Sequence, residues 1–268
     1  MAQQITVDGV ELQIEGEGEP TLLFVHGWPD TWRLWDAQVA HLRGSYRCVR
    51  FTLPGFDLSR PARPLSLEHM VQLFRAIAVR VCPQQPLTLV LHDWGCVFGY
   101  AFAARHPELV ERVVGVDIGD SNSAAFRRSL GRKQQLMIFL YQFWLALAWK
   151  FGGALGDWMT RAMARAMRCP ADPAAIGAQM NYPYYIQWFG AYGSYRGLPR
   201  FVPHCPMLYI YGQRKPVMFH SGQWLERLNG TPGSAARGFR AGHWVMLDQG
   251  EAFNQCLVAW LSQPAAGP

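Results

Sequence analysis

The sequence predicts an α/β protein in which a mostly parallel sheet is flanked by helices and carries a helical insertion. Three observations lead to this fold class. Short apolar runs, typical of buried strands, alternate with amphipathic helical stretches along much of the chain. The alternation stops between residues 122 and 202 and resumes afterwards. Half of the 268 residues are hydrophobic, which is enough to fill a large core without metals or crosslinks.

The strands are predicted from apolar runs bounded by turn residues. A hairpin opens the chain, because the pair Asp8-Gly9 is typical of the tight turn between two antiparallel strands. Continuous apolar runs further on indicate strands that are buried on both faces. The predicted strands span residues 5–7, 10–15, 21–25, 46–51, 87–91, 113–116 and 207–211. The predicted helices between them span residues 32–42, 67–81, 94–105 and 252–261.

The part of the chain without a predicted strand, residues 122–202, contains helical and aromatic patches. The simplest account is a helical cap inserted between two core strands. The chain then divides into a first core half, 1–121, the cap, 122–202, and a second core half, 203–268. Open α/β sheets bind ligands at the carboxyl ends of their strands, so the cap is expected to close over that edge.

Composition excludes several classes of function. The net charge is +6, but the basic residues are mostly scattered arginines, and no continuous basic face for nucleic acid is predicted. None of the six cysteines lies in a C-x-x-C pair or at metal-ligand spacing, so neither a zinc site nor a disulfide framework is expected. The first residues include polar Gln3 and Gln4 rather than an apolar signal core. A reducing, cytoplasmic setting is the resulting expectation.

Residues 136–149 are almost wholly apolar and are interrupted only by Gln142. This run is shorter than the roughly 20 residues that a membrane-spanning helix needs. It is therefore interpreted as a buried or lid helix, and no membrane partner is expected. Contact with a membrane surface is the less favoured alternative, and a homodimer is left open.

The run L-V-L-H-D-W-G-C, residues 89–96, is the first candidate for chemistry. A buried strand runs to Leu91, and Gly95 and Gly99 let a following helix approach it closely. Such a strand-to-helix turn strains its central residue, here Asp93, and exposes that side chain above the sheet. The alternative is that Asp93 only caps the helix, because Asp is a common N-cap residue.

A second motif, H-G-W-P-D over residues 26–30, follows directly after the predicted strand at 21–25. Together with the first motif, it makes the chain resemble the epoxide hydrolase and haloalkane dehalogenase branch of the α/β-hydrolase fold, and most of all a bacterial epoxide hydrolase. The resemblance implies that Asp93 is a nucleophile that forms an ester with the substrate. It also implies that the backbone amides of Trp28 and Trp94 form an oxyanion hole for hydrolysis of that ester.

The resemblance assigns the base of a catalytic triad to His243. This residue lies in the run A-G-H-W-V, after the nucleophile in chain order and before the last predicted helix. The acid is less direct, because Lys215 stands after the penultimate strand, where many relatives have Asp. Other relatives carry the acid after the preceding core strand. There Asp117 is favoured over Asp120, and Asp248 is a remote third candidate.

Tyrosines of the predicted cap would distinguish epoxide opening from halide displacement, the two reactions of this branch. Opening an epoxide requires an acid for the departing alkoxide, whereas a halide needs only N–H donors from the tryptophan after the nucleophile and a second Asn or Trp. The run N-Y-P-Y-Y-I-Q-W, residues 181–188, resembles the tyrosine patch of epoxide hydrolase caps, with Tyr185 as the best match and Tyr182 or Tyr184 beside it. Tyr141 is the candidate second donor. Packing alone is the alternative role for these aromatic residues.

Residues that flank the motifs are expected around the substrate pocket. They are His26, Pro29, Tyr184 and Trp244. His26, like His92, is also expected to hold the geometry of its loop.

Epoxide hydrolysis without a cofactor is the expected function. Trp28 after H-G is the epoxide hydrolase pattern, whereas haloalkane dehalogenases usually have Asn or Glu there. Asp93 would attack a small hydrophobic epoxide while Tyr185, with Tyr141, protonates its oxygen, and water activated by His243 would release a diol.

Two alternatives remain open from the sequence. One is a haloalkane or haloacid dehalogenase that uses the same aspartate. The other is a non-catalytic protein that binds a small molecule on the same fold. No metal, nucleotide or flavin is expected in any of these cases, because the chain has no phosphate-cradling glycine loop and no cluster of metal ligands.

Overall fold

A computed structural model describes residues 3–195, 197–198 and 200–263, which form one eight-stranded sheet. The strands are β1 (Gln3–Val7), β2 (Val10–Glu15), β3 (Thr21–Val25), β4 (Arg47–Phe51), β5 (Leu87–His92), β6 (Val110–Val116), β7 (Met207–Gly212) and β8 (Ala235–Phe239). Across the sheet their order is β1-β2-β4-β3-β5-β6-β7-β8. β1 and β2 pair antiparallel, as do β2 and β4, and the remaining pairs are parallel.

The α-helices of the described residues cover both faces of the sheet and the carboxyl ends of its strands. They are α1 (Asp36–Leu42), α2 (Leu67–Val81), α3 (Trp94–Arg105), α4 (Ala124–Ser129), α5 (Arg132–Phe151), α6 (Gly153–Ala166), α7 (Tyr182–Phe189), α8 (Gly222–Asn229), α9 (Val245–Asp248) and α10 (Gly250–Leu261). The predicted α/β class with a mostly parallel sheet is confirmed.

Two hydrophobic clusters pack against opposite faces of the sheet. Alternate residues of β3 contribute to them, Leu23 to the cluster under α2 and α3 and Phe24 to the cluster under α1 and α10. Every residue of β3 and of β5 is buried. This two-sided burial explains why the central strands read as continuous apolar runs instead of alternating ones.

The opening hairpin forms where Asp8-Gly9 predicts it. Both residues have left-handed φ values, 48° and 77°, as a two-residue turn of the type favoured in hairpins requires. The turn sets the register in which Val7 pairs with Val10. β2 then alternates buried and more exposed positions, because it lies near the edge of the sheet.

The segment predicted as the cap carries α4 to α7, with no strand among its described residues. α5 packs against both α6 and α7. A buried hydrogen-bond chain ties this layer to the core, since the indole N–H of Trp28 donates to Asn181 and the Asn181 amide donates to Thr160. Trp28 follows β3, so the cap lies over the carboxyl ends of the strands.

Neither β8 nor α8 is predicted from the sequence pattern. β8 has the sequence A-A-R-G-F and lies at the edge of the sheet, where its residues are half-buried or exposed. An edge strand of this kind has no continuous apolar run, so hydrophobic patterning does not reveal it. The predicted helix at 32–42 also begins as a 3-10 turn, Trp32–Trp35, before α1.

Candidate active site

Asp93 lies at the turn between β5 and α3 with a φ of 51° and a ψ of −120°. A positive φ is unfavourable for a residue with a Cβ, and such strain persists only where the surroundings enforce it. Two glycines make the turn possible. A Cβ on Gly27 would lie 2.4 Å from Asp93 Oδ1, and a Cβ on Gly95 would lie 2.6 Å from the carbonyl oxygen of His26. The turn points the Asp93 side chain into a cavity above the sheet.

The Asp93 carboxylate does not cap the helix that follows it. Within the described residues its side chain makes no capping hydrogen bond to α3. Instead, Asp93 Oδ1 accepts a hydrogen bond of 2.7 Å from the backbone N–H of Trp28. The backbone nitrogen of Trp94 is also near, 2.5 Å from the position of a Cβ on Gly27. Both amides predicted for an oxyanion hole therefore lie at the turn that carries Asp93.

His243 connects Asp93 with Asp117. Its Nε2 lies 3.5 Å from Asp93 Oδ2, and its Nδ1 hydrogen-bonds to Asp117 Oδ2. Asp117 directly follows β6 and is fully buried. The structure thus brings the three side chains into one Asp–His–Asp chain. In such a chain the inner carboxylate holds the imidazole in the tautomer that presents Nε2 to the substrate side.

Lys215 follows β7, at the loop position where the family resemblance suggested an acid, and its side chain turns into the same site. Its Nζ forms an ion pair with Asp117 Oδ1, and the lysine side chain is only 8% exposed. The backbone N–H of Gly212 donates to the same oxygen at 3.1 Å. The sequence does not predict this contact, because a lysine on a loop carries no signal of the carboxylate that it will meet.

The charged groups of this site shift the pKa values of one another. Burial alone would raise the pKa of Asp117, but Lys215 and His243 hold it well below its usual range. Burial disfavours the imidazolium form of His243, yet Asp117 and Asp93 raise its pKa to about 9. Asp93 is also buried, and the hydrogen bond and charge of His243 keep its pKa below the usual value. At neutral pH the imidazolium therefore lies between two ionised carboxylates.

The other two candidate acids, Asp120 and Asp248, form hydrogen bonds that hold nearby loops. Asp120 accepts a hydrogen bond of 2.6 Å from the Ser123 hydroxyl, and bonds of 2.7 Å from both the backbone N–H and the hydroxyl of Ser221. It therefore ties the start of the cap to the N-terminus of α8. Asp248 accepts a hydrogen bond of 2.7 Å from the backbone N–H of Gly242, which shapes the histidine loop.

A cavity of about 500 Å³ lies above Asp93, between the sheet and the cap. This volume is within the usual range for small-molecule sites. Aromatic residues are the largest group among those that line the cavity, namely Trp94, Tyr100, Phe126, Tyr141, Tyr184, Tyr195, Phe201 and Phe219. A lining of this kind suits a small hydrophobic ligand that reaches the carboxylate at the bottom.

Tyr184 lines this cavity, whereas Tyr185 does not. The Tyr184 ring lies edge-on to Trp94, with 5.2 Å between the ring centroids. Tyr185 instead packs against Trp149 and Phe189, at centroid distances of 4.4 and 4.8 Å. The prediction of Tyr185 as the main proton donor is corrected accordingly. Successive residues of an α-helix point about 100° apart, so one position along α7 exchanges the cavity for a packing contact.

Tyr141 lies beside Tyr184 in the cavity, as predicted for the first cap helix, with 6.2 Å between the ring centroids. Burial, reinforced by the charge of Asp93, raises the pKa of both phenols above the usual value. Gln142 donates a hydrogen bond of 3.0 Å to the Tyr141 hydroxyl. Both hydroxyls therefore keep their protons at neutral pH and can donate them.

Three of the four residues expected around the pocket shape its supporting loops instead. His26 is fully buried, and its Nε2 accepts a hydrogen bond of 2.9 Å from the backbone N–H of Leu53. The indole N–H of Trp244 donates to Asp30 at 2.9 Å. Pro29 is buried in the turn after β3. The prediction that His26, Pro29 and Trp244 line the pocket is not met by the described cavity lining, and His26 and Trp244 are held by these hydrogen bonds instead.

His92 supports the histidine loop from below. Its Nε2–H donates to the backbone carbonyl oxygen of His243 at 3.2 Å, and the two rings lie 4.5 Å apart. Burial and the charge of His243 lower the pKa of His92 to about 3, so it stays neutral. In the described part of the chain, no group of three or more His, Cys, Asp and Glu side chains is arranged to hold a metal ion.

Comparison with known proteins gives both a family and individual relatives. Residues 20–169 match the family described as alpha/beta hydrolase fold. The chain is 29% identical over 166 residues to a protein named Probable oxidoreductase EphD of Mycobacterium tuberculosis. This alignment covers 60% of this chain and 25% of that relative. The chain is 31% identical over 96 residues to Epoxide hydrolase 2 of Caenorhabditis elegans, covering 35% of this chain and 27% of that relative. The chain thus spans about a quarter of the length of these curated relatives.

Similarity to solved structures extends over almost the whole chain. A point variant of an epoxide hydrolase from Bacillus megaterium, complexed with its diol product, superimposes with a TM-score of 0.73. The alignment covers 97% of this chain and 100% of that chain at 22% sequence identity. The shared feature at this level of identity is the fold.

Proposed function

Since the chain belongs to the α/β-hydrolase fold family, we propose that it is an epoxide hydrolase with Asp93 as its nucleophile. One observation carries this proposal. Two protonated phenols, Tyr141 and Tyr184, line the same aromatic cavity as the Asp93 carboxylate. A carboxylate facing two proton donors matches the needs of epoxide opening, in which one atom is attacked and its neighbour is protonated. The relatives named epoxide hydrolase support the same reaction.

In the first step, Asp93 attacks one carbon of the epoxide and a C–O bond of the ring breaks. The oxygen that departs takes a proton from Tyr184 or Tyr141, so the product of this step is a glycol ester of Asp93. The two tyrosines are needed because an alkoxide is strongly basic and leaves slowly without a nearby acid.

In the second step, water attacks the carboxyl carbon of the ester. His243 takes the proton of that water through Nε2, and Asp117 stabilises the imidazolium that forms. The backbone amides of Trp28 and Trp94 stabilise the negative charge that develops on the carboxyl oxygen. As this intermediate collapses, the proton on His243 passes to the departing alkoxide, which releases the diol, and the second proton of the water returns to the tyrosinate, so that Asp93 and the tyrosine are both restored.

Displacement of a halide by the same Asp93 is the competing reaction. A halide site needs N–H donors around the nucleophile, and the indole of Trp94 lines the cavity. The indole N–H of Trp28, however, donates to Asn181 at 2.7 Å and is directed into the cap–core contact. The direct test is a pair of substrates, styrene oxide assayed for diol and 1-bromobutane assayed for bromide. Release of bromide with no turnover of styrene oxide would replace the proposal by dehalogenation.

The proposed substrate is a small hydrophobic epoxide, because aromatic and aliphatic side chains together make up more than half of the residues that line the cavity. A reducing, cytoplasmic setting is part of the proposal, and the six cysteines are all free thiols. The proposal includes no nucleic-acid partner.

Substitution of the cavity tyrosine should slow only the alkylation step. We expect Tyr184→Phe to reduce the rate of ester formation from styrene oxide by roughly tenfold to a hundredfold, since Tyr141 still supplies an acid. The combined Tyr141→Phe and Tyr184→Phe variant should lose nearly all alkylation. Stopped-flow measurement of the first half-reaction checks both values.

Tyr185→Phe is the matched control for this prediction. It removes the same hydroxyl one position along α7, where the ring packs against Trp149 and Phe189, so the rate should change little. Full epoxide activity in the double variant would assign Tyr141 and Tyr184 to packing. A stronger effect of Tyr185→Phe than of Tyr184→Phe would reverse the present assignment.

The pH dependence of the second half-reaction should reflect the loss of one charge. In the free enzyme Asp117 and Asp93 raise the pKa of His243 to about 9, so its imidazole is mostly protonated at neutral pH. Ester formation neutralises Asp93, and the pKa of His243 must then fall. Hydrolysis of the ester, measured in single turnovers, should accelerate with rising pH along a titration below that of the free enzyme. NMR titration of His243 supplies the reference, and an identical pKa in both states would contradict the mechanism.

A further inference from the structure

The long cap helix α5 has two faces of different character. One face points down, where Ile138, Tyr141 and Gln142 line the cavity. The opposite face points outward and is apolar, since Leu136 and Leu140 are both 56% exposed. A helix of a globular protein normally buries its apolar residues and exposes its polar ones. The outward face of α5 does the reverse.

Exposed apolar side chains are concentrated in this layer. Of the 14 large hydrophobic side chains that are exposed in the described residues, 11 belong to residues 122–202. The central group is continuous, because Phe139 on α5 contacts Trp188 on α7 at a centroid distance of 5.2 Å. We call this group the outer cap face, formed by Leu136, Phe139, Leu140, Phe151, Trp188 and Phe189. Contiguous apolar patches on the surface of a folded protein mark interaction sites.

The net positive charge is concentrated in the same layer, mainly because acidic residues are scarce there. Residues 122–202 contain 10 of the 25 basic residues and 2 of the 19 acidic ones, a net charge of +8. The remaining residues contain 15 basic and 17 acidic side chains, a net charge of −2. The excess charge of the whole chain therefore comes from the cap alone.

Basic side chains border the outer cap face directly. Arg132 and Lys133 are exposed and lie one helical turn before Leu136 on the same side of α5. At the other end of the helix, Lys150 Nζ lies 5.4 Å from the centroid of the Phe189 ring. α5 contains no acidic residue. Its outward side is thus an apolar stripe with cations at both ends.

We propose that the outer cap face binds peripherally to an anionic lipid bilayer. Leucine and aromatic side chains enter the boundary between headgroups and acyl chains, while lysine and arginine contact the lipid phosphates and carboxylates. A second copy of the chain fits less well, because two caps of charge +8 would repel each other. The inference concerns binding only and is independent of the proposed reaction. From the sequence, no membrane partner is expected and contact with a membrane surface is the less favoured alternative. The present proposal takes up that alternative.

The binding is to the surface of the bilayer. No helix of the described residues is both long and apolar enough to span a membrane. α5 packs against α6 and α7, so it can present its outward side to a planar surface without leaving the protein.

Vesicle co-sedimentation of the full chain tests the proposal. Wild type should bind phosphatidylcholine vesicles that contain phosphatidylserine, and bind far less to vesicles of phosphatidylcholine alone. Loss of two cations in Arg132→Gln with Lys133→Gln should lower the partition coefficient by on the order of tenfold or more. Leu136→Ser with Leu140→Ser should lower it by at least about tenfold, because two leucines no longer enter the bilayer. High salt should weaken the binding of wild type.

The matched control is Val79→Ser with Arg80→Gln on α2, outside the cap. It changes one exposed apolar and one exposed basic side chain. It should bind like wild type. The substituted side chains are exposed, and circular dichroism checks that every variant is folded.

Two outcomes would overturn the proposal. The first is equal or absent binding to the two kinds of vesicle. The second is concentration-dependent self-association, measured by sedimentation, that disappears in the variant with Leu136→Ser and Leu140→Ser and occurs without lipid binding, since a second copy would then cover the face.

Discussion

A His243→Gln variant is expected to accumulate a covalent adduct on Asp93 when it is mixed with an epoxide. Glutamine cannot take the proton of the attacking water, whereas the attack of Asp93 on the epoxide needs only the carboxylate and the cavity tyrosines. Trapping should therefore approach one adduct per enzyme molecule. Mass spectrometry of the peptide that contains Asp93 measures it directly.

Asp93→Asn is the counterpart of that experiment and should show no turnover and no adduct. An amide is a poor nucleophile, and asparagine has nearly the same shape as aspartate, so the fold should remain intact. Because the strained turn depends on Gly27 and Gly95 and not on the carboxylate, circular dichroism should be unchanged. A label on a residue other than Asp93, or no label with any epoxide or haloalkane, would remove the basis for a carboxylate nucleophile.

Asp117→Asn is expected to reduce turnover by on the order of a thousandfold or more, by analogy with triad acids. The amide cannot stabilise the imidazolium of His243, so the pKa of His243 should also fall below the value of about 9 that Asp117 and Asp93 give it. Steady-state kinetics and NMR titration of His243 give the two readouts. Asp120→Asn should cost much less activity, because that carboxylate holds Ser123 and Ser221. A crippled Asp120→Asn enzyme with an active Asp117→Asn enzyme would move the acid three residues along the chain.

Stability and catalysis can be separated at this position. Asp117→Asn leaves the Lys215 ammonium buried without its carboxylate, and breaking a buried ion pair in this way costs about 3–5 kcal/mol of unfolding free energy. Adding Lys215→Met removes the unpaired charge and should restore much of the stability. The activity should stay lost in the double variant, because the defect lies in the support of His243.

The sequence by itself determined the parts of the site that local motifs encode. The positions of Asp93 and His243 follow from short runs in which glycine, an apolar strand and a following helix stand in a fixed order. Strain at Asp93 is a consequence of the same run, because a strand that turns sharply into a helix leaves its central residue few allowed conformations. The central strands are equally local, since burial on both faces requires continuous apolar runs.

The tertiary structure decided which side chains meet across the chain. Tyr184 and Tyr185 are both tyrosines on one short helix, and only the rotation of α7 against α5 directs the first to the cavity and the second to Trp149. Likewise, Lys215 reaches Asp117 because β6 and β7 are adjacent strands of the sheet. Such contacts depend on the relative position of elements far apart in sequence, and no local pattern records that position. The exposure of Leu136 and Leu140 has the same origin, because an apolar run shows that a helix has an apolar side but not whether anything in the fold covers it.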